Sequence, residues 1–225
     1  MFNMKSNACK VMLSAAGLVC LLGIQTDVAA QAIWEPGVVG DPIPRNYKSW
    51  SLFVICNPDW LMVENEPKLS ALYQRFRSFG QAIGAQHLAL WFWKRQPRIG
   101  NVRAEDIDVD RNAAFCEKLA LLPSKSPYVV VTRVYPDLND SNLRPDVLIE
   151  LNKLPPADVG NLLNKLTDQL LVEGLRQAEF DSEQYWGAWR RSVEATANFL
   201  GGLIKKVKLT VNAGPVKLEV EGGRE

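Results

Sequence analysis

The sequence predicts an α/β fold: a mixed four-stranded sheet with flanking helices, followed by a C-terminal helix and a β-hairpin. Three observations carry this expectation. Stretches of β-type composition alternate with stretches whose apolar residues recur at three- and four-residue spacing. Two mid-chain β-type stretches, PYVVVTRV and VLIEL, are separated only by the turn-rich YPDLNDSNLRP, a connection suited to an antiparallel pair. Near the end, VKLTV and VKLEV alternate apolar with polar residues on either side of NAGP, which is turn chemistry.

Taken in order, residues 1–32 read as a secretory signal. Lys5 and Lys10 give the positive flank, Val11–Ile24 is apolar, and Val28-Ala29-Ala30 or Ala30-Gln31-Ala32 fits a small-residue cleavage site. The apolar run is short for a bilayer-spanning helix, and no later segment reaches spanning length. Residues 33–49 hold Pro36, Pro42 and Pro44 among small and turn residues, so they read as an extended lead-in. Trp50–Cys56 is apolar almost throughout, as in a central strand covered on both faces.

From Lys68, the residues Leu69, Leu72, Tyr73, Phe76, Phe79 and Ile83 mark a helix, with Gly84 at its stop. His87–Lys94 returns to β-type composition, and Asn112–Leu122 is a second amphipathic segment. Pro127–Val134 and Val147–Leu151 are the next strands. Pro155 to Asp158 opens a third helix, whose buried stripe is Val159, Leu162, Leu163, Leu166 and Leu170. Asp181–Leu200 is a further helix with Tyr185, Trp189, Val193 and Ala197 on one face, and the hairpin follows Gly201-Gly202. A two-stranded ribbon is marginal alone, so it must pack on this chain or on a second copy.

Charge excludes some functions. The chain carries a formal net charge of +1, and removing residues 1–30 balances its acidic and basic residues. Nothing here steers it toward nucleic acid. With the signal removed, only Cys56 and Cys116 survive of four cysteines. Two exported cysteines commonly pair, but spacing does not fix their separation, so a Cys56–Cys116 disulfide stays open.

The order strand, helix, strand, helix, strand, strand, helix, with right-handed parallel crossovers first, resembles the thioredoxin-like fold superfamily from Trp50 to about Glu173. The likeness also rests on KSPYVVV, where Pro127 stands at the family's cis-proline position before the third core strand. Trp60 and Pro67 fall where the family has an aromatic residue before its redox motif and a helix-kinking proline after it. The resemblance implies a thioredoxin-like domain over residues 50–180, with residues 181–225 as a helix and hairpin extension.

The resemblance does not carry redox chemistry. The family sets two cysteines at the amino end of its first helix, where N–H groups and the macrodipole stabilise a thiolate. Here that ground is Trp60-Leu61-Met62-Val63-Glu64, without sulfur nucleophile or resolving partner. The chain therefore reads as a divergent member lacking the CxxC motif. A groove formed by Trp60, Leu61, Ser126, Pro127 and Tyr128 could still hold an extended peptide.

Other chemistries find less support. His87 is solitary, with no partner at triad or zinc-site spacing, and reads as a strand-edge residue. Glu105, Asp106, Asp108 and Asp110 lack the glycine turn and closing glutamate of a calcium loop and read as a solvated insertion. Trp91 and Trp93 lie on one side of a strand apolar on both faces, which is core. No metal or cofactor is expected.

The expectation is a periplasmic or secreted, non-catalytic thioredoxin-like protein that binds a protein or peptide of the cell envelope. It would have no nucleic-acid partner and no membrane segment after signal cleavage, and its hairpin could serve homo-oligomerisation. The alternative is a thiol-dependent peroxidase or exchange protein using Cys56 with Cys116 as resolving partner.

Overall fold

The computed structural model describes residues 42–83, 86–95, 101–174, 182–203, 207–211 and 216–220, with side chains up to residue 199. The signal-peptide reading and most of the lead-in lie outside the described residues. All described residues belong to one compact unit, Gln31–Glu225.

Strand β1, Ser49–Val54, is buried along its whole length, as its apolar composition on both faces requires. Two 3-10 turns, Pro58–Leu61 and Val63–Asn65, lead into helix α1, Glu66–Ile83. Pro67 sits in the helix's first turn, where a missing N–H costs nothing. The predicted stripe Leu69, Leu72, Tyr73, Phe76, Phe79 and Ile83 is the buried face of α1. Strand β2, His87–Trp91, is shorter than the apolar run, because Phe92 and Trp93 leave the ladder and Trp93 bridges Ile107 instead.

Helix α2, Val109–Lys118, starts three residues earlier than its apolar spacing indicates. The Asp108 side chain accepts the Arg111 N–H at 3.0 Å and caps it. It also ends earlier: Ala120 adopts a positive φ of 51° and turns the chain away. Strand β3, Tyr128–Thr132, follows a cis Ser126–Pro127 peptide bond. The loop to β4, Val147–Glu150, is built from Asx turns: Asp137 accepts the Asn139 N–H at 2.9 Å, and Asp140 the Asn142 N–H at 2.8 Å. Helix α3, Pro156–Val172, and helix α4, Ser182–Leu203, complete the helices.

The fold is α/β around a mixed six-stranded sheet, in which the four strands expected from the sequence run in the order β2-β1-β3-β4. β1 runs parallel to β2 and antiparallel to β3, and β3 antiparallel to β4. Strands β5, Val207–Val211, and β6, Val216–Val220, pair antiparallel with each other. β6 lies parallel to β4, with Val147 opposite Val216 and Ile149 opposite Leu218.

Strand alternation divides the core into two layers. Phe53, Trp91, Val129, Val131 and Ile149 face α1, α3 and α4. Leu52, Leu88, Leu90, Val130 and Phe92 face Phe115 of α2, with Ile43 of the lead-in and Leu143 of the β3–β4 loop. Tyr185, Ala188, Trp189, Val193 and Ala197 of α4 are buried in the first layer. This helix is therefore part of the core rather than an appendage to it.

Candidate functional site

At the carboxyl end of β1 the chain must turn sharply to start α1, and short polar side chains set that turn. Asn57 accepts the Asp59 N–H at 3.0 Å, Asn65 donates its amide to the Asp59 carbonyl at 2.7 Å, and the Asn65 N–H reaches the Met62 carbonyl at 2.8 Å. Lys68 donates to the Asn65 side chain at 2.9 Å. The loop's shape is thus set by its own hydrogen bonds. Trp60 and Leu61 are half-buried and pack on the larger core layer. Met62 and Val63 are 51% and 76% exposed, two apolar side chains held side by side in water at the start of α1.

Cys56 lies just behind this loop and is bonded to Cys116 of α2, with 5.7 Å between the alpha carbons. The pairing that the sequence left open is formed. Both cysteines are half-buried against the second core layer. The Cys56 N–H donates to Ser126 Oγ at 2.7 Å, and the Ile55 N–H to Asn112 Oδ1 at 2.8 Å, which tie the end of β1 to the β3 lead-in and to α2. The Pro127 carbonyl accepts the Leu151 N–H at 2.9 Å, and the Tyr128 hydroxyl donates to the Leu122 carbonyl at 2.7 Å. Ser126, Pro127 and Tyr128 are buried. Of the five residues assigned to the groove, only Trp60 and Leu61 reach the surface, and Met62 and Val63 are the more exposed neighbours.

Beside this loop opens a cleft of about 440 Å³, lined by Val63, Glu66, Pro67, Ser70, Asn101, Val102 and Arg103. Glu66 accepts the Ala104 N–H at 3.0 Å, and Ser70 Oγ the Val102 N–H at 3.0 Å, so α1 itself holds the opposite wall. The amino end of α1 therefore presents an apolar rim next to a polar cleft, with no thiol.

No protein-family model, curated protein or solved structure matches this chain.

The remaining sequence candidates fall elsewhere. Arg95 pairs with Glu105 at 2.7 Å and with Asp106 at 2.5 Å, and Asp108 caps α2. Asp106 and Asp108 are buried by these contacts, which corrects the solvated reading for those two residues. Among the described residues, no group of three His, Cys, Asp or Glu side chains could hold a metal ion. Trp91 and Trp93 are buried, Trp91 stacking on Phe53 at 3.9 Å. Among the described residues, no helix is long and apolar enough to cross a membrane.

His87 does open an outer strand of the sheet, yet it is fully buried, because α4 covers it. Ser49 Oγ lies 2.6 Å from His87 Nδ1 and 2.6 Å from the Tyr185 hydroxyl. Sequence reasoning missed this constellation. Its members stand at positions 49, 87 and 185, and no spacing rule links residues that only the folded topology brings together.

Proposed function

We propose that this chain is an exported, non-catalytic thioredoxin-like protein, with a C-terminal helix and hairpin, that binds a protein or extended peptide through the amino end of α1. The observation that carries the proposal is the exposed pair Met62 and Val63. They stand on a loop braced by its own hydrogen bonds, where the resemblance places a redox motif. Exposed apolar side chains on a braced loop lose little entropy on binding. The β2-β1-β3-β4 order and directions, with the cis Ser126–Pro127 peptide before β3, support the thioredoxin-like reading. The disulfide supports an oxidising compartment.

Selection of a displayed peptide library on the immobilised protein tests this. Selected peptides should lose at least about tenfold affinity on Met62→Asp or Val63→Asp, in keeping with the loss of an apolar anchor. Val172→Asp, at an 80% exposed position on α3, should leave affinity unchanged. Equal binding by all three variants would contradict the assignment.

The exchange or peroxidase reading is favoured by one observation, that Cys56 and Cys116 are within bonding distance. It requires the reduced Cys56 thiolate to attack peroxide or a partner disulfide, and Cys116 to resolve the product. Rapid oxidation of the reduced protein by peroxide, with turnover lost in Cys56→Ser, would favour it over binding.

A further inference from the structure

The joint between α4 and the sheet is built differently from the rest of the core. His87 of β2 stands opposite Ser49 of β1 in the parallel register, and both are fully buried. Through Ser49 Oγ, one serine links β1, β2 and α4 in a single chain of hydrogen bonds to Tyr185. The other ring nitrogen, His87 Nε2, is buried and has no hydrogen-bond partner among the described residues. Phe79 of α1 and Trp189 of α4 flank the ring, with centroids 6.1 Å and 5.4 Å away.

We propose that the Ser49–His87–Tyr185 joint is an acid-operated latch, in which a proton taken up by His87 releases α4 from the sheet. A proton on the ring makes both nitrogens donors. Nδ1–H can use Ser49 Oγ, but the second N–H has no acceptor within hydrogen-bond distance among the described residues. The charge is relieved only by water. β1 lies between β2 and β3, whereas α4 reaches the ring from outside the sheet with Tyr185 and Trp189. Release of α4 therefore hydrates His87 while β1, β2, β3 and β4 stay paired.

The groups around the ring are Ser49 from β1, Phe79 from α1, and Trp189 with Tyr185 from α4. Among these only Tyr185 titrates, and burial pushes its hydroxyl up, so it stays protonated throughout. Burial alone lowers the His87 pKa from 6.5 to about 3, with no charged side chain among the causes. The sign follows from linkage: the docked state holds the ring neutral, so its advantage is full above pH 6.5 and falls as pH drops from 6.5 toward 3. The open-to-docked ratio rises roughly tenfold for each pH unit in that window.

Hydrogen exchange of the full chain, read by mass spectrometry and corrected for intrinsic pH dependence, tests the latch. Between pH 7.5 and pH 4.5, opening of α4 should rise roughly 100-fold while β1 and β3 keep their protection. His87→Gln, which cannot titrate, should abolish that rise. Tyr185→Phe, which loosens the latch without touching the histidine, should increase α4 opening at both pH values and keep the slope. A flat α4 profile, α4 and β1 opening together, a rise that survives in His87→Gln, or unchanged opening in Tyr185→Phe would each overturn the proposal.

Discussion

Ala120 shows how much a single residue can hide from its sequence. A helix that ends through a left-handed residue ordinarily uses glycine there, because a Cβ meets the following carbonyl at positive φ. Here an alanine takes φ 51° just after α2, and the apolar spacing through Leu122 gives no sign that the helix has already stopped. Ala120→Gly should therefore stabilise the fold by about 0.5–1 kcal/mol, read from the denaturation midpoint. Cys56 is the opposite case at one end and the same at the other. Its place at the end of an apolar run was legible as the end of a strand. Its pairing with Cys116, 60 residues away, was not, because sequence separation carries no distance. The same holds for Ser49, His87 and Tyr185.

The elements were legible wherever apolar periodicity was long and unbroken. α1 and α3 bury the residues their spacing marks, because a stripe recurring every three or four residues has one stable seat against a sheet. Boundaries moved where side-chain hydrogen bonds compete with periodicity. The Asp108 cap starts α2 at Val109, and the Asn57 and Asn65 bonds shape the two turns ahead of α1. The disulfide acts at this scale too, joining the end of β1 to α2 across 60 residues of chain. By the loop-closure argument for a 60-residue separation, reduction or Cys116→Ser should cost about 4 kcal/mol, read as a shift of the denaturation midpoint with and without reductant. No shift would mean that the hydrogen bonds of Cys56 and Ile55 already secure this joint.

For the molecule as a whole, connection rules carried the reading part of the way. The first strand–helix–strand connection is the parallel crossover expected, and β3 with β4 is the expected antiparallel pair. The second connection brings β3 in antiparallel to β1 instead of as a further parallel crossover, which the apolar pattern of the strands does not encode. α4 was harder to place. Its apolar face was visible as Tyr185, Trp189, Val193 and Ala197, but an apolar face does not name the surface it covers. In the fold it completes the layer formed by α1 and α3, so the boundary drawn at residue 181 does not divide the core. Function was least legible of all. An exposed pair such as Met62 and Val63 departs from apolar burial only once the loop's geometry is known.

On the proposed reading, the amino end of α1 serves as a contact surface instead of a redox centre. Site-specific photo-crosslinking tests it most directly, with the photoreactive residue at position 63 in one variant and at position 172 in another, both expressed with the native envelope. A discrete crosslinked product is expected from position 63 and none from position 172. Crosslinking of equal yield from both positions, or none from position 63, would contradict it.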